Sequence, residues 1–499
     1  MRSVLFLIGI SVYSVSCATA PTLNAKNQAE FHYKKGVQAL GKKNGPLAVA
    51  EFSECLSVAS NHQRCLYEMG WAQLALWNWG DALVYWNTLR NLNPKFDGLA
   101  WAYSKLDNHF RIITEARHIR NRYPPHFGKK KKKRPFLRIH AVGDVMLGSD
   151  FPNAKGLPPD THLPFEKVKA TLQGAEIQFA NLEGTFCDGG KTDKCKPDAN
   201  CYAFRTPTQY ASFIKDAGFN MVSLANNHIG DFGDFCMMES QKTMDGLGIA
   251  WSGAPGTFGV FEHKKKKIAL AAFHTATHVN NLNDLKEARK FIQDLKKKNN
   301  LVIVSFHGGA EGFDALRIPM KNEIFYGEDR GNVVKFAHAM IDAGADLVLG
   351  HGPHVTRAME LYKGHLIAYS MGNFATYGTF NLLGFNSIGL VLEIDLDAKG
   401  MFRSGKIIPT RQRGLGIPEE DPRGMAIDLI RLLSEYDFPK TGIAVSQDGS
   451  LFSPRFLRKP RPVHWSTPLE WVAMPPPAPE PSPSAAPEGT APAPNASTY

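Results

Sequence analysis

Five short apolar runs in this chain each end in a cluster of polar, metal-seeking side chains. They read Ala141-Val142-Gly143-Asp144, Phe179-Ala180-Asn181-Leu182-Glu183, Ser223-Leu224-Ala225-Asn226-Asn227-His228, Val302-Ile303-Val304-Ser305-Phe306-His307 and Leu347-Val348-Leu349-Gly350-His351-Gly352-Pro353-His354. A short β-branched run bounded by Gly, Asn or Asp reads as a buried strand. Helical stretches such as Thr206–Ala217 and Asn332–Ala343 alternate with such runs from Phe136 onward. That alternation predicts an α/β domain with a parallel or mixed sheet. In open α/β sheets, ligands gather beyond the carboxyl ends of the strands. Five strands would therefore deliver Asp, Glu, Asn and His to one rim. Mixed oxygen and imidazole donors suit Zn, Mn or Fe better than a magnesium cage.

At 499 residues the chain is too long for one core, and two or three domains are expected. Residues 26 to 122 repeat with a period of 34, seen in the pairs Gly36/Gly70, Tyr33/Tyr67, Ala48/Ala82 and Phe52/Trp86. Small residues at this spacing let paired helices approach, and the aromatics fill the gap between them. Asn93-Pro94 closes the second unit, since Pro cannot continue a helix. The pattern resembles tetratricopeptide repeats over residues 24–122, with Leu99 to Arg122 as a further helix capping the stack. Such repeats present a concave surface suited to a protein partner. Residues 123–135, with the run Lys129–Arg134, read as a basic linker. Residues 136–455 form the α/β domain, and 474–499, rich in Pro and Ala, form a disordered tail.

Residues 1–20 read as a secretory signal: Met1-Arg2 precedes an apolar stretch from Val4 to Val15. Ser14-Val15-Ser16-Cys17 resembles a bacterial lipobox, so lipidation of Cys17 and simple signal cleavage stay open. Either outcome places the protein in the periplasm or cell envelope. Six cysteines besides Cys17 are an even number for an oxidising setting. At least one bridge is expected among Cys187, Cys195, Cys201 and Cys236. The formal charge of +11 sits largely in compact lysine runs, Lys264–Lys267 and Lys296–Lys298 among them. These lack the interleaved aromatics of a nucleic-acid module and read as solvated loops.

Taken together, the five motifs resemble the CapA family of capsule and poly-γ-glutamate synthesis proteins. Two further marks are Asp144-Val145-Met146-Leu147-Gly148 and Tyr369-Ser370-Met371-Gly372-Asn373-Phe374. That family is similar to calcineurin-like metallophosphoesterases, which implies an α/β/β/α sandwich with one or two divalent metals. The resemblance implies Asp144, Glu183, Asn227, His307, His351 and His354 as metal ligands and His228 as general acid. It departs from the metallophosphoesterase pattern at Met146, which stands where a second His is usual, and in the His351-x-x-His354 spacing. It implies a role in making an anionic surface polymer. A metal-dependent phosphoesterase-like hydrolase, a non-catalytic polymer-binding factor and a repeat-mediated scaffold all remain open.

Overall fold

The computed structural model describes residues 25–126 and 135–453, apart from 155, 160–163, 196–201 and 379. The signal segment, Cys17, Lys129–Arg134, Cys201 and the Pro-rich tail lie outside the described residues.

Five helices come first: α1 (Ala25–Gly41), α2 (Gly45–Val58), α3 (Gln63–Ala75), α4 (Trp79–Leu92) and α5 (Leu99–Arg120). The 34-residue period has a direct packing cause. A Cβ at Gly36 would stand inside the Phe52 ring, and one at Gly70 inside the Trp86 indole. Each hairpin therefore closes by laying an aromatic ring on a bare backbone. Ala48 and Ala82 are fully buried at the equivalent crossings. The Trp86 indole N–H donates to the Tyr67 carbonyl at 3.0 Å, so the ring is anchored as well as packed. A disulfide joins Cys55 to Cys65 across the α2–α3 turn.

Among the described residues, the two main sheets of the α/β domain hold sixteen strands. In chain order they are β1 (Leu137–Met146), β2 (Ile177–Leu182), β3 (Met221–Ser223), β4 (Ala250–Ser252), β5 (Gly259–His263), β6 (Lys266–Phe273), β7 (Leu301–His307) and β8 (Leu347–His351). They continue as β9 (Met359–Tyr362), β10 (His365–Ala368), β11 (Asn373–Thr376), β12 (Ile388–Leu396), β13 (Phe402–Arg413), β14 (Ile417–Glu420), β15 (Ala444–Val445) and β16 (Ser450–Phe452). The first sheet runs β15-β16-β13-β12-β1-β2-β3-β4, with β11 also on β1 and β14 on β13. The second runs β9-β10-β8-β7-β6-β5. The segment β1–β4 is parallel, as are β6, β7, β8 and β10 with their neighbours in that group.

Burial along the strands shows the layers. Ile139 and Ala141 of β1 and Ile177 and Phe179 of β2 join one large core with Leu270, Ile303 and Leu349 of the second sheet. The helices Leu285–Lys298 and Val333–Ala343 supply Ile292 and Phe336 to the same core. Val142, Val145, Ala180 and Leu182 belong to a second core with the helices Ala211–Asp216 and Gly233–Gly246. Helices thus cover both outer faces of two packed sheets, the α/β/β/α order that the resemblance implies. Val142 and Val145 are three residues apart yet share a core, so the two-residue alternation slips between them. The β1–β2 register shifts at that place, between Ala141 and Asp144. Such irregularities re-aim side chains beside binding sites.

The helical region is less separate than its repeat suggests. Ile112, Ala116 and Ile119 of α5 are part of the large α/β core. Tyr123, the first residue of the expected basic linker, is buried against Ala444 and Phe452. The Gln447 and Asp448 backbone amides donate to the Pro124 and Pro125 carbonyls, both at 3.0 Å. A helix whose apolar residues point to both sides cannot cap a solenoid alone. The end of α5 and residues 123–125 therefore pack against the α/β domain.

Gly70→Ala should lower the melting temperature of the intact chain through overpacking on Trp86, by about 1–3 kcal/mol of stability. An unchanged melt would mean that the indole moves aside freely. Glu68 on α3 is buried, with one carboxylate oxygen lacking a partner. Burial pushes its carboxyl up to about 7. The unfolded chain loses this proton near the ordinary glutamate value, so the folded form holds more protons between there and about pH 7. Stability from this group is full at low pH and falls as pH rises through that window. Glu68→Gln should therefore stabilise the helical region by on the order of 3 kcal/mol at pH 8 and leave it unchanged near pH 4. Thermal melts at the two pH values check this.

Candidate metal centre

Strand register brings the motifs to one level. Asp144 on β1 pairs across with Asn181 on β2 and Asn373 on β11, and Asn181 pairs with Ser223 on β3. In the second sheet, His307 ends β7 directly beside His351 at the end of β8. Within the first sheet, the backbone of β1 comes unusually close to the residue that precedes β11. A Cβ at Gly143 would overlap the Gly372 carbonyl oxygen, which accepts the Asp144 amide at 2.9 Å.

Asp144 is fully buried and surrounded by donors. The Asn181 amide donates to Oδ1 at 2.9 Å. His351 Nδ1 stands 3.2 Å from Oδ1, and His354 Nδ1 3.1 Å from Oδ2. Glu183 lies just past β2, and its Oε1 is the focus of three imidazoles. His307 Nε2 stands at 3.3 Å, His354 Nε2 at 3.5 Å and His228 Nε2 at 4.0 Å. Ligand atoms of Asp144, Glu183 and His307 all lie within 4.8 Å of one another, close enough for a single ion.

Neither Glu183 oxygen, neither His307 nitrogen, nor His351 Nε2 has a hydrogen-bond partner, although all are buried. Native structures leave few such atoms, since burying them unpaired costs free energy. A divalent cation at the focus would pair them. The donor set of carboxylates and imidazoles fits such an ion.

The electrostatics point the same way. Burial alone would raise the Asp144 carboxyl, but hydrogen bonds from His351 and His354 hold it well below the usual range. Burial pushes Glu183 well above it, with the charges of Asp144 and Glu311 adding and His354 opposing. His354 is pulled down by burial and up by Glu183, Asp144 and Glu311, ending at about 10. Burial depresses His307 strongly, leaving it neutral, the form that ligates metals. His354 has φ +57°. A non-glycine residue there is strained, and such strain persists where surrounding contacts over-determine the conformation.

His228 follows β3 with its ring oriented by Asp231, Nδ1 to Oδ2 at 2.7 Å. Lys194 Nζ donates to the other Asp231 oxygen at 2.6 Å. Asp234 is exposed on the helix Gly233–Gly246 and takes no part in this set. Asn227 is partly buried beside His228 in the chain, its Oδ1 buried without a partner. The adjacent Asn226 donates to the Leu182 carbonyl at 2.7 Å and accepts the His228 amide at 3.1 Å, which shapes this turn. His274 is buried with its ring 5.3 Å from that of His307. The disulfide Cys187–Cys236 ties the segment after β2 to the helix Gly233–Gly246.

Sequence reading did not single out Glu311. Its Oε2 lies 3.8 Å from His354 Nε2, and Arg330 holds its Oε1 at 2.5 Å. The signal was a lone acid four residues past His307 in a glycine-rich turn. Asn373, at the start of β11, places its Oδ1 3.0 Å from His354 Nδ1. Met146 is buried against Phe204 and Phe380.

Residues 138–377 match the family described as bacterial capsule synthesis protein PGA_cap. Over this segment the chain is similar to the CapA family. It is 28% identical over 269 residues to the capsule biosynthesis protein CapA of Bacillus anthracis, covering 49% of this chain and 61% of that protein. It is 26% identical over 255 residues to the PGA biosynthesis protein CapA of Bacillus subtilis, covering 48% and 63%. The match thus spans about six-tenths of the length of these CapA relatives. Two solved structures overlap weakly with the fold. One is a 5′-nucleotidase precursor from Thermus thermophilus, with 14% identity, coverage of 60% and 58%, and a TM-score of 0.29. The other is the purple acid phosphatase PPD1 from yellow lupin seeds, with 11% identity, coverage of 62% and 56%, and a TM-score of 0.29. Overlap this low carries no functional argument.

Adding Mn²⁺ or Zn²⁺ to chelator-treated protein should raise its melting temperature. At a hundred times the dissociation constant the gain is about 2.7 kcal/mol. Asp144→Ala should abolish the gain. Equal shifts in both proteins would place the ion elsewhere.

Proposed function

We propose that this protein works in the cell envelope on an anionic surface polymer of the capsule or poly-γ-glutamate type. In this reading it uses a metallophosphoesterase-like centre of Asp144, Glu183, Asn227, His307, His351 and His354. One observation carries the reading: His307 and His354 converge on Glu183 Oε1, and the Glu183 oxygens and His307 nitrogens are buried without hydrogen-bond partners. The names of the CapA relatives supply the polymer class. Residues 1–20 supply the export expectation, with Cys17 as a candidate lipid anchor.

A bound Zn, Mn or Fe ion supplies Lewis acidity toward a phosphoryl oxygen. The chain's own part is to orient and to move a proton. Asp231 occupies His228 Nδ1, leaving Nε2 to face Glu183 and any bound ligand. Burial lowers the His228 pKa on balance, and the Asp231 charge and hydrogen bond work against that fall. Nε2 is then the atom that delivers a proton to a leaving group. Imidazole suits that task because it titrates near neutral pH.

Met146 supports a second reading. The position where the related enzymes carry another imidazole here holds a buried thioether packed on Phe204 and Phe380. A centre poorer in donors would hold a single ion and bind an anionic polymer without cleaving it.

The two readings separate in a phosphodiester assay paired with metal analysis. Asp144→Ala and His354→Ala should lose metal and activity together. His228→Ala should keep its metal while turnover falls by on the order of 10²–10⁴. Substrates with good leaving groups should show a smaller fall. If no phosphoester is turned over by the wild type and the variants instead lose polymer binding, the binding-factor reading stands.

A further inference from the structure

The N-terminal helices lie outside the matched family segment, yet they grip two of the segments that form the mouth of the metal centre. The first is 380–386. Phe380 packs its ring 5.1 Å from His354 and 5.2 Å from Phe204, whose own ring lies 4.2 Å from His228. The Asn386 carbonyl accepts from Asn373 Nδ2 at 3.1 Å, and Asn373 Oδ1 meets His354 Nδ1. The second is 311–315, which begins with Glu311 and continues into Phe313 and Asp314.

Helical residues hold both segments from behind. The Lys43 ammonium, in the turn between α1 and α2, donates to the Phe380 carbonyl. Leu383 packs into the helical core formed by Leu66, Trp71 and Trp86. Trp79 of α4 stacks on His109 of α5, and His109 stacks on Phe385 at 4.6 Å. Phe385 in turn stacks on Phe313 at 5.3 Å, joining the two segments. Lys105 of α5 pairs with Asp314 at 2.6 Å and lies over the Phe313 ring at 5.3 Å.

We infer that the N-terminal helices position the mouth of the metal centre, with Lys43 and Lys105 as positioning residues that set Phe380, Asn386 and Glu311 around His354. The repeats are then part of the site's scaffold as well as a surface for partners. A ligand that shifts α1–α2 against α5 would reach His354 through one carbonyl contact and one stack of rings. Burial also lowers the Lys43 ammonium to about 7.

The test uses the full chain. Hydrogen–deuterium exchange is followed in peptides covering 308–316 and 380–388, and Co²⁺ is titrated as a spectroscopic probe of the centre. The double variant Lys43→Met with Lys105→Met should keep its helicity. Exchange in both peptides should rise at least about fivefold, the equivalent of about 1 kcal/mol of opening. The Co²⁺ band should shift and its affinity should weaken, and replacing both lysines by Arg instead should keep an ion pair to Asp314 and the wild-type band. Asp314→Asn, at an exposed side chain, tests the second segment if the double variant does not fold. A folded variant with unchanged exchange overturns the inference. So does faster exchange with an unaltered Co²⁺ band. If the wild type binds no Co²⁺, the metal reading fails instead, and exchange alone decides whether the helices hold the mouth.

Discussion

The structure depends on keeping negative charge at the junction of two sheets. Asp144 and Glu183 are both buried, and such a placement is costly unless the charges are paired. Four imidazoles stand within about 4 Å of these carboxylates, each from a different turn or strand end, and His351 and His354 reach Asp144 at 3.2 and 3.1 Å. The rest of the α/β domain can be read as support for that convergence. The β1–β2 irregularity re-aims Asp144, Gly143 gives up its side chain for the Gly372 carbonyl, and His354 accepts a left-handed backbone.

Around this centre lies a ring of groups that hold the imidazoles. Asp231 fixes His228, Asn373 and Glu311 flank His354, and Asn181 donates to Asp144. Ligand orientation by neighbouring hydrogen bonds is general to metal sites and governs affinity nearly as much as the ligands. Glu311 adds negative charge at the mouth, partly offset by Arg330. The buried Arg357–Glu323 pair holds the same glycine-rich segment, with Arg357 also donating to the Ala310 carbonyl at 3.1 Å. In the proposed reading, an anionic polymer entering here meets Lys194, which is partly exposed beside Asp231.

The helical region shows how one element can serve two cores. One part of α5 packs Leu99, Ala102 and Leu106 with α3 and α4, and its later turns give Ile112, Ala116 and Ile119 to the α/β domain. No single periodic face of α5 would have shown this, because residues at helical spacing report burial without naming the neighbour.

Much of the strand architecture was legible from local pattern. Short β-branched runs ending in polar clusters bury themselves as central strands, and β1, β2, β7 and β8 stand where those runs predict, whereas β3 already ends at Ser223, ahead of Leu224-Ala225. The 34-residue repeat was legible because a glycine and an aromatic ring must recur together for the hairpins to close. Local pattern cannot say which strand ends share a rim, since that follows from sheet order and register. Nor could it assign Glu311 or Phe380, whose neighbours arrive from over forty residues away or from another sheet. The sequence by itself determined the strands, the hairpins and the supply of ligand-type side chains. Only the tertiary structure decided their meeting point, because convergence on Glu183 is a property of two packed sheets and of the helices that brace their edge.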